Sequence, residues 1–127
     1  MLPKKILIVD DERMIRLTTG TLLRKNGIEV VEASNGPAGL QLMEKEKPDL
    51  LLLDIMMPVM DGWEVLDKVR AMADFSALRV VIFTAGDFIE AKKTAAEKKV
   101  HGILQKPYHL SELLDVISIK EEGDADA

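Results

Sequence analysis

The sequence predicts an α/β protein built on a doubly wound parallel sheet, and three observations lead there. Short apolar runs of strand length recur five times along the chain. Each is followed by a stretch with helical spacing or helix-cap signals. The third run, Leu50–Leu53, is four leucines without a polar break, the pattern of a strand covered on both faces. Strands alternating with helices make a parallel sheet with helices on both sides, and right-handed crossovers narrow the topology to a doubly wound one.

The elements follow in order. "KILIV" (Lys5–Val9) is the first strand, and Asp10, Asp11 and Glu12 lead into a helix to about Asn26. That helix carries Met14, Ile15, Thr18 and Leu22 on one side, with Gly27 as its stop. "IEVVEA" (Ile28–Ala33) is the second strand. "SNGP" opens the second helix, with Pro37 in the first turn, where its missing N–H costs little. That helix ends near Lys47, before Pro48. After the leucine strand, Asp61-Gly62 opens a third helix to about Met72. "VVIF" (Val80–Phe83) is the fourth strand, and a Lys- and Ala-rich helix runs from about Phe88 to Lys99. "GILQ" (Gly102–Gln105) is the fifth strand, and Ser111 is expected to N-cap a fifth helix to about Lys120. Residues 1–120 thus read as one domain, and the acidic "EEGDADA" at 121–127 as a disordered tail.

Composition removes several classes of function. The 127 residues suit a single domain. With no cysteine, thiolate metal sites, disulfides and cysteine nucleophiles are excluded. No apolar stretch approaches the roughly 18 residues of a membrane span, and the N-terminal apolar run is too short for a signal peptide. The protein is therefore expected to be cytoplasmic. A net charge of −5 argues against direct binding to nucleic acid, which needs a basic surface.

In an open parallel sheet the functional crevice lies at the carboxyl ends of the strands. Strand one ends in Asp10 and Asp11, strand three in Asp54, strand four in Thr84 and strand five in Lys106-Pro107. In a flavodoxin-like strand order, 2-1-3-4-5, these groups share one edge. Three crowded carboxylates repel one another unless a cation joins them. Mg²⁺ suits them: it takes one or two carboxylates, keeps waters and commonly partners phosphate. Lys106 can hold a phosphate oxygen as a point charge, and Thr84 can donate a hydroxyl hydrogen bond to another. Asp54 is then the nucleophile, since carboxylates form aspartyl-phosphate intermediates.

"ILIVDDE", "LLLLDIMMPVMDGWEVL", "VVIFTA" and "ILQKPY", in this order and each at a strand end, together resemble the receiver domain of bacterial two-component response regulators, over roughly Lys4 to Ile119. The resemblance implies that Asp54 is the phosphoacceptor and that Asp11 binds Mg²⁺ directly. It implies that Asp10 does so through water, and that the backbone carbonyl of Met56 completes the metal site. Thr84 and Lys106 match the phosphate-binding pair, and Pro107 the proline that follows a cis peptide bond. A histidine kinase or phosphotransfer protein is the implied phosphoryl donor. The output surface is implied to be the fourth helix, fifth strand and fifth helix. Such a protein is a regulator that catalyses its own phosphorylation and dephosphorylation, not an enzyme acting on other substrates. The sequence departs from the family where an aromatic switch residue is usual, three residues before the lysine; here it is Ile103. Lys99 stands where many relatives have glycine, so a positive φ there would carry strain of roughly 1 kcal/mol. Met56 and Gly86 occupy positions that the resemblance implies tune the lifetime of an acyl phosphate.

Other readings account for some of the same residues. The acids at 10–12 can simply decorate a helix N-terminus. A haloacid-dehalogenase-like phosphohydrolase also uses an Asp nucleophile, Mg²⁺ and a Lys, but wants an acid two residues after the nucleophile, where Met56 stands. A flavin carrier needs a phosphate-cradling first loop, and Asp10, Asp11 and Glu12 would repel that phosphate. A degenerate receiver acting only as an interaction module differs in whether Asp54 is ever phosphorylated. Asp61-Gly62 is assigned no chemistry, and Trp63 is read as a partly exposed packing residue. His101 and His109 are read as solvated, as is the lysine cluster Lys92, Lys93, Lys98 and Lys99.

Overall fold

The computed structural model describes residues 1–118. Five strands form one parallel sheet: β1 (Lys5–Val9), β2 (Glu29–Ala33), β3 (Leu50–Asp54), β4 (Arg79–Thr84) and β5 (Gly102–Gln105). Four helices connect them, α1 (Arg13–Lys25), α2 (Gly36–Glu46), α3 (Gly62–Ala71) and α4 (Phe88–Glu97), and α5 (Leu110–Ile117) follows β5. The sheet order is β2-β1-β3-β4-β5, as expected. The acidic segment 121–127 and the expected end of the last helix lie outside the described residues.

Alternation along the central strands splits the core in two. Leu7, Val9, Leu51, Leu53, Val80 and Ile82 face one side and pack against Met43 of α2 and Val65, Leu66 and Val69 of α3. Ile6, Ile8, Leu50, Leu52, Val81 and Phe83 face the other and pack against Leu23 of α1 and Leu113 and Ile117 of α5. All four leucines of β3 are fully buried. They therefore hold the end of β3 rigidly between β1 and β4, to which it is paired.

The chain punctuation follows its residue chemistry. Asn35 caps α2 by accepting from the Ala38 N–H at 2.8 Å, with Pro37 in the first turn. Asp61 and Glu64 form a reciprocal capping box on α3. Gly27 follows α1 with φ +79°, a backbone that glycine adopts freely. Lys99 has φ +56°, the strained conformation anticipated for it.

Three details differ from the sequence reading. The buried residues of α1 are Thr19, Gly20 and Leu23, with Ile15 and Leu22 half-buried, while Met14 and Thr18 are exposed. The helix is turned by one residue because Leu23 seats fully in the core against the sheet. The cap of α5 is His109, not Ser111: His109 is extended, and its N–H donates to Glu112 Oε1 at 3.0 Å. Lys98 and Lys99 lie beyond α4, which ends at Glu97, and Lys98 pairs with Asp67 at 2.9 Å instead of standing in solvent.

Candidate functional site

The carboxyl ends of β1, β3, β4 and β5 bring Asp10, Asp54, Thr84 and Lys106 together. Asp10 follows the last residue of β1, and its N–H donates to the Ala33 carbonyl at 3.2 Å, fixing it against β2. The Arg16 guanidinium donates to the Asp10 carbonyl at 2.7 Å. Asp54 is the last residue of β3, aligned with Phe83 of β4. Thr84 ends β4, and the Lys106 N–H donates to the Thr84 carbonyl at 2.8 Å, so the ends of β4 and β5 stay joined. Asp10, Asp54 and Thr84 are all buried. The Lys106–Pro107 peptide bond is cis, as expected. The Tyr108 ring stacks on Phe83 at 5.5 Å, and its hydroxyl meets that of Thr19, which pins the segment bearing Lys106.

Charge is the governing feature. Lys106 Nζ lies 2.7 Å from Asp10 Oδ2, 3.2 Å from Glu12 Oε1 and 3.7 Å from Asp54 Oδ2. Burial pulls the Lys106 ammonium toward neutrality. Its hydrogen bond to Asp10 and the charges of Asp10 and Asp54 outweigh that, leaving its pKa raised. The Asp54 pKa is raised as well, which for a carboxylate disfavours the charged form: burial pushes it up to about 7, with Asp10 and Asp11 adding to the rise. The Met56 N–H, 3.0 Å from Asp54 Oδ1, and the Lys106 charge oppose the rise. A nucleophile in this setting needs a further cation to stay ionised and close to its neighbours.

The donor set fits a hard divalent ion. Carboxylate oxygens of Asp10, Glu12 and Asp54 lie within 4.8 Å of one another, and the Lys106 ammonium already stands among them. All of these donors are oxygens, the preference of Mg²⁺. Asp11 is exposed and lies outside that group. Glu12, to which the resemblance assigns no ligand role, lies inside it. Met56 is exposed, and its sulfur occupies the space a Cβ on Gly86 would need, 2.7 Å away. Thr84 Oγ1 accepts from the Gly86 N–H at 3.1 Å, which leaves the hydroxyl proton free to donate.

Two residues acquire roles that the sequence reading did not give them. A Cβ on Gly62 would lie 2.4 Å from the Asp54 carbonyl oxygen, so only glycine lets α3 start this close to the nucleophile. His101 Nδ1 accepts from the Val80 N–H at 3.1 Å. Burial, with Arg79 and Arg70 nearby, holds its pKa low, which preserves that acceptor. It is a strand-start cap remote in function from the carboxylates. Trp63 packs partly buried against the core, as expected. With Ile55, Met56, Thr84 and Ala91 it also lines a cavity of about 200 Å³. Ile103, the expected switch residue, is half-buried on β5 beside Ile82.

A five-stranded 2-1-3-4-5 sheet with an acid-and-lysine site at its carboxyl edge defines a class. The chain belongs to the response regulator receiver domain family, whose family model matches residues 6–118. Receiver domains are signalling regulators of two-component systems. Among its relatives is the sporulation initiation phosphotransferase F of Bacillus subtilis, 34% identical over 117 residues, covering 92% of this chain and 93% of that protein. Another is the response regulator MprA of Mycolicibacterium vanbaalenii, 35% identical over 113 residues, where 89% of this chain matches but only 48% of the relative is covered. The chain thus spans about half the length of that relative. Among solved structures, the Vibrio cholerae chemotaxis protein CheY4 superposes with a TM-score of 0.83 at 30% identity, covering 88% of this chain and 93% of that one. A CheY-like receiver domain protein of Methanospirillum hungatei gives 0.80 at 30% identity, covering 88% of each chain. No helix among the described residues is long and apolar enough to cross a membrane.

Proposed function

We propose that the protein is a phosphorylatable switch in which Asp54 accepts a phosphoryl group from a histidine kinase or phosphotransfer protein. The observation that carries this reading is the buried Asp54 carboxylate set beside Asp10, Thr84 and Lys106 at one sheet edge. Asp10, Asp11 and Asp54, with the Met56 carbonyl, would hold Mg²⁺, which when bound neutralises the acids and the incoming phosphoryl oxygens. Asp54 attacks phosphorus, the bond from phosphorus to the donor breaks, and an acyl phosphate forms. Lys106 pairs with one phosphoryl oxygen and the Thr84 hydroxyl donates to another. These residues provide position and charge, so the chain catalyses its own modification and acts as a regulator. Exposed apolar side chains on the helices that follow the site-bearing ends of β1 and β5, Met14 and Leu17 on α1 and Leu110 at the start of α5, support docking of a protein donor there. Output runs through α4, β5 and α5 to a downstream protein in the cytoplasm, without direct contact to nucleic acid.

The test is the intact mass of the protein after incubation with Mg²⁺ and acetyl phosphate. One phosphoryl increment is expected on wild type. It should be absent with EDTA and absent from Asp54→Asn. A folded wild type that binds Mg²⁺ but gains no mass from acetyl phosphate or from a phosphorylated histidine donor would leave an unphosphorylated interaction module as the better reading.

A further inference from the structure

Helix α1 has an unusual cap. Glu12 occupies the N-cap position with extended backbone, yet its side chain makes no capping hydrogen bond. An N-cap side chain ordinarily accepts from one of the first helical N–H groups. The Glu12 carboxylate instead reaches Lys106 Nζ at 3.2 Å. Its own N–H is held by Asp10 Oδ1 at 2.9 Å, so the backbone of Glu12 is fixed against the site while its carboxylate faces outward, 57% exposed.

Lys106 is placed very differently. Its side chain is only 6% exposed, and Nζ sits 6.0 Å from the centre of the Phe83 ring. Its other two acidic neighbours, Asp10 and Asp54, are themselves buried and are two of the carboxylates a divalent cation would use. Like charges cannot share those oxygens without strong repulsion. An ammonium so enclosed has few places to go, and Glu12 is the one carboxylate of the three that is solvated and already within hydrogen-bond reach.

Resting on the reading of this edge as a Mg²⁺ and phosphoryl site, we propose that Glu12 is a positioning residue: it is the seat to which the Lys106 ammonium withdraws when a divalent cation takes Asp10 and Asp54. In this role Glu12 aids cation binding through Lys106, without itself being a metal ligand. Glutamate has the reach and the charge for this. Glutamine keeps the reach and loses the charge, and aspartate keeps the charge and loses the reach.

The experiment is calorimetric titration of the whole chain with Mg²⁺ alone, without a phosphodonor, on wild type, Glu12→Gln, Lys106→Met and the double variant. Glu12→Gln should weaken Mg²⁺ binding about fivefold or more when Lys106 is present and less than about twofold in the Lys106→Met background, a coupling within the usual range for contacting residues. Equal weakening in both backgrounds would overturn the proposal, making Glu12 a direct ligand or a mere source of field. No weakening in either would overturn it as well. Glu12→Asp needs no lysine variant and covers the case in which Lys106→Met fails to fold. It should resemble Glu12→Gln if reach to Lys106 matters, and wild-type affinity in this variant would count against the seat. If wild type takes a phosphoryl group from acetyl phosphate while the cycle shows no coupling, only this inference falls. If wild type neither binds Mg²⁺ nor gains a phosphoryl group, the reading beneath it falls too.

Discussion

Asp54 sets the chemistry of the molecule, and its cost can be measured. Burial lifts its pKa to about 7 from an ordinary 3.8, with Asp10 and Asp11 contributing. A carboxyl group with a raised folded-state pKa binds more protons folded than unfolded between those two values. Its linkage therefore makes stability fall as pH climbs from about 4 through about 7. Each pKa unit corresponds to about 1.4 kcal/mol, so the ionised, metal-free site costs a few kcal/mol. In EDTA, Asp54→Asn should melt several degrees above wild type at pH 8, and the gap should close toward pH 5. Mg²⁺ should raise the melting temperature of wild type at pH 8 more than that of the variant. A gap that does not change with pH would place the strain elsewhere than the Asp54 charge. Asp54 was legible in the sequence because it ends an unbroken leucine strand. Glu12 was not, because its partner lies 94 residues away and nothing local distinguishes it from any acid at a helix start.

At the scale of elements, the strands were read nearly to the residue, since a run of buried branched side chains has few alternatives. Helix faces were harder. On α1 both Leu22 and Leu23 are apolar, and spacing alone does not say which enters the core; the sheet beneath decides for Leu23. The start of α5 was misplaced because Ser111 is a good cap by type, while Glu112 fixes the cap at His109 by accepting its N–H. The loop between β3 and α3 holds a feature with no sequence signal: Val59 has φ +70° and is fully exposed. The turn there is closed by the Met60 N–H to the Pro58 carbonyl at 2.8 Å. A β-branched residue in this conformation is strained, and its side chain gains nothing by burial. Val59→Gly should therefore stabilise the protein by about 0.5–1 kcal/mol, read as a higher urea midpoint at unchanged slope. A lower midpoint would mean that the valine makes a contact worth more than its strain.

At the scale of the whole molecule, the question is how an event at Asp54 reaches the far face. Ile103 stands where the sequence resemblance leads one to expect an aromatic switch residue, and on β5 it sits beside Ile82, half-buried against the core. A branched aliphatic side chain there packs in place and has no comparable arc of motion. Thr84 has another neighbour in the cavity of about 200 Å³ that it shares with Trp63, Met56 and Ala91 of α4. If Thr84 turns toward a phosphoryl group, the atoms free to respond are those around this cavity, between the start of α3 and α4. Coupling should then run through Trp63 and α4 more than through residue 103. Trp63 is the only tryptophan in the chain, so tryptophan emission comes from this one position on the cavity wall. Acetyl phosphate added to the Mg²⁺-loaded protein should change that emission. The change should vanish in Asp54→Asn, be lost or greatly reduced in Thr84→Ala despite an intact phosphoryl mass increment, and survive in Ile103→Val. If Ile103→Val removes the response while Thr84→Ala keeps it, the path runs through β5 after all, and the cavity is only a gap in the packing.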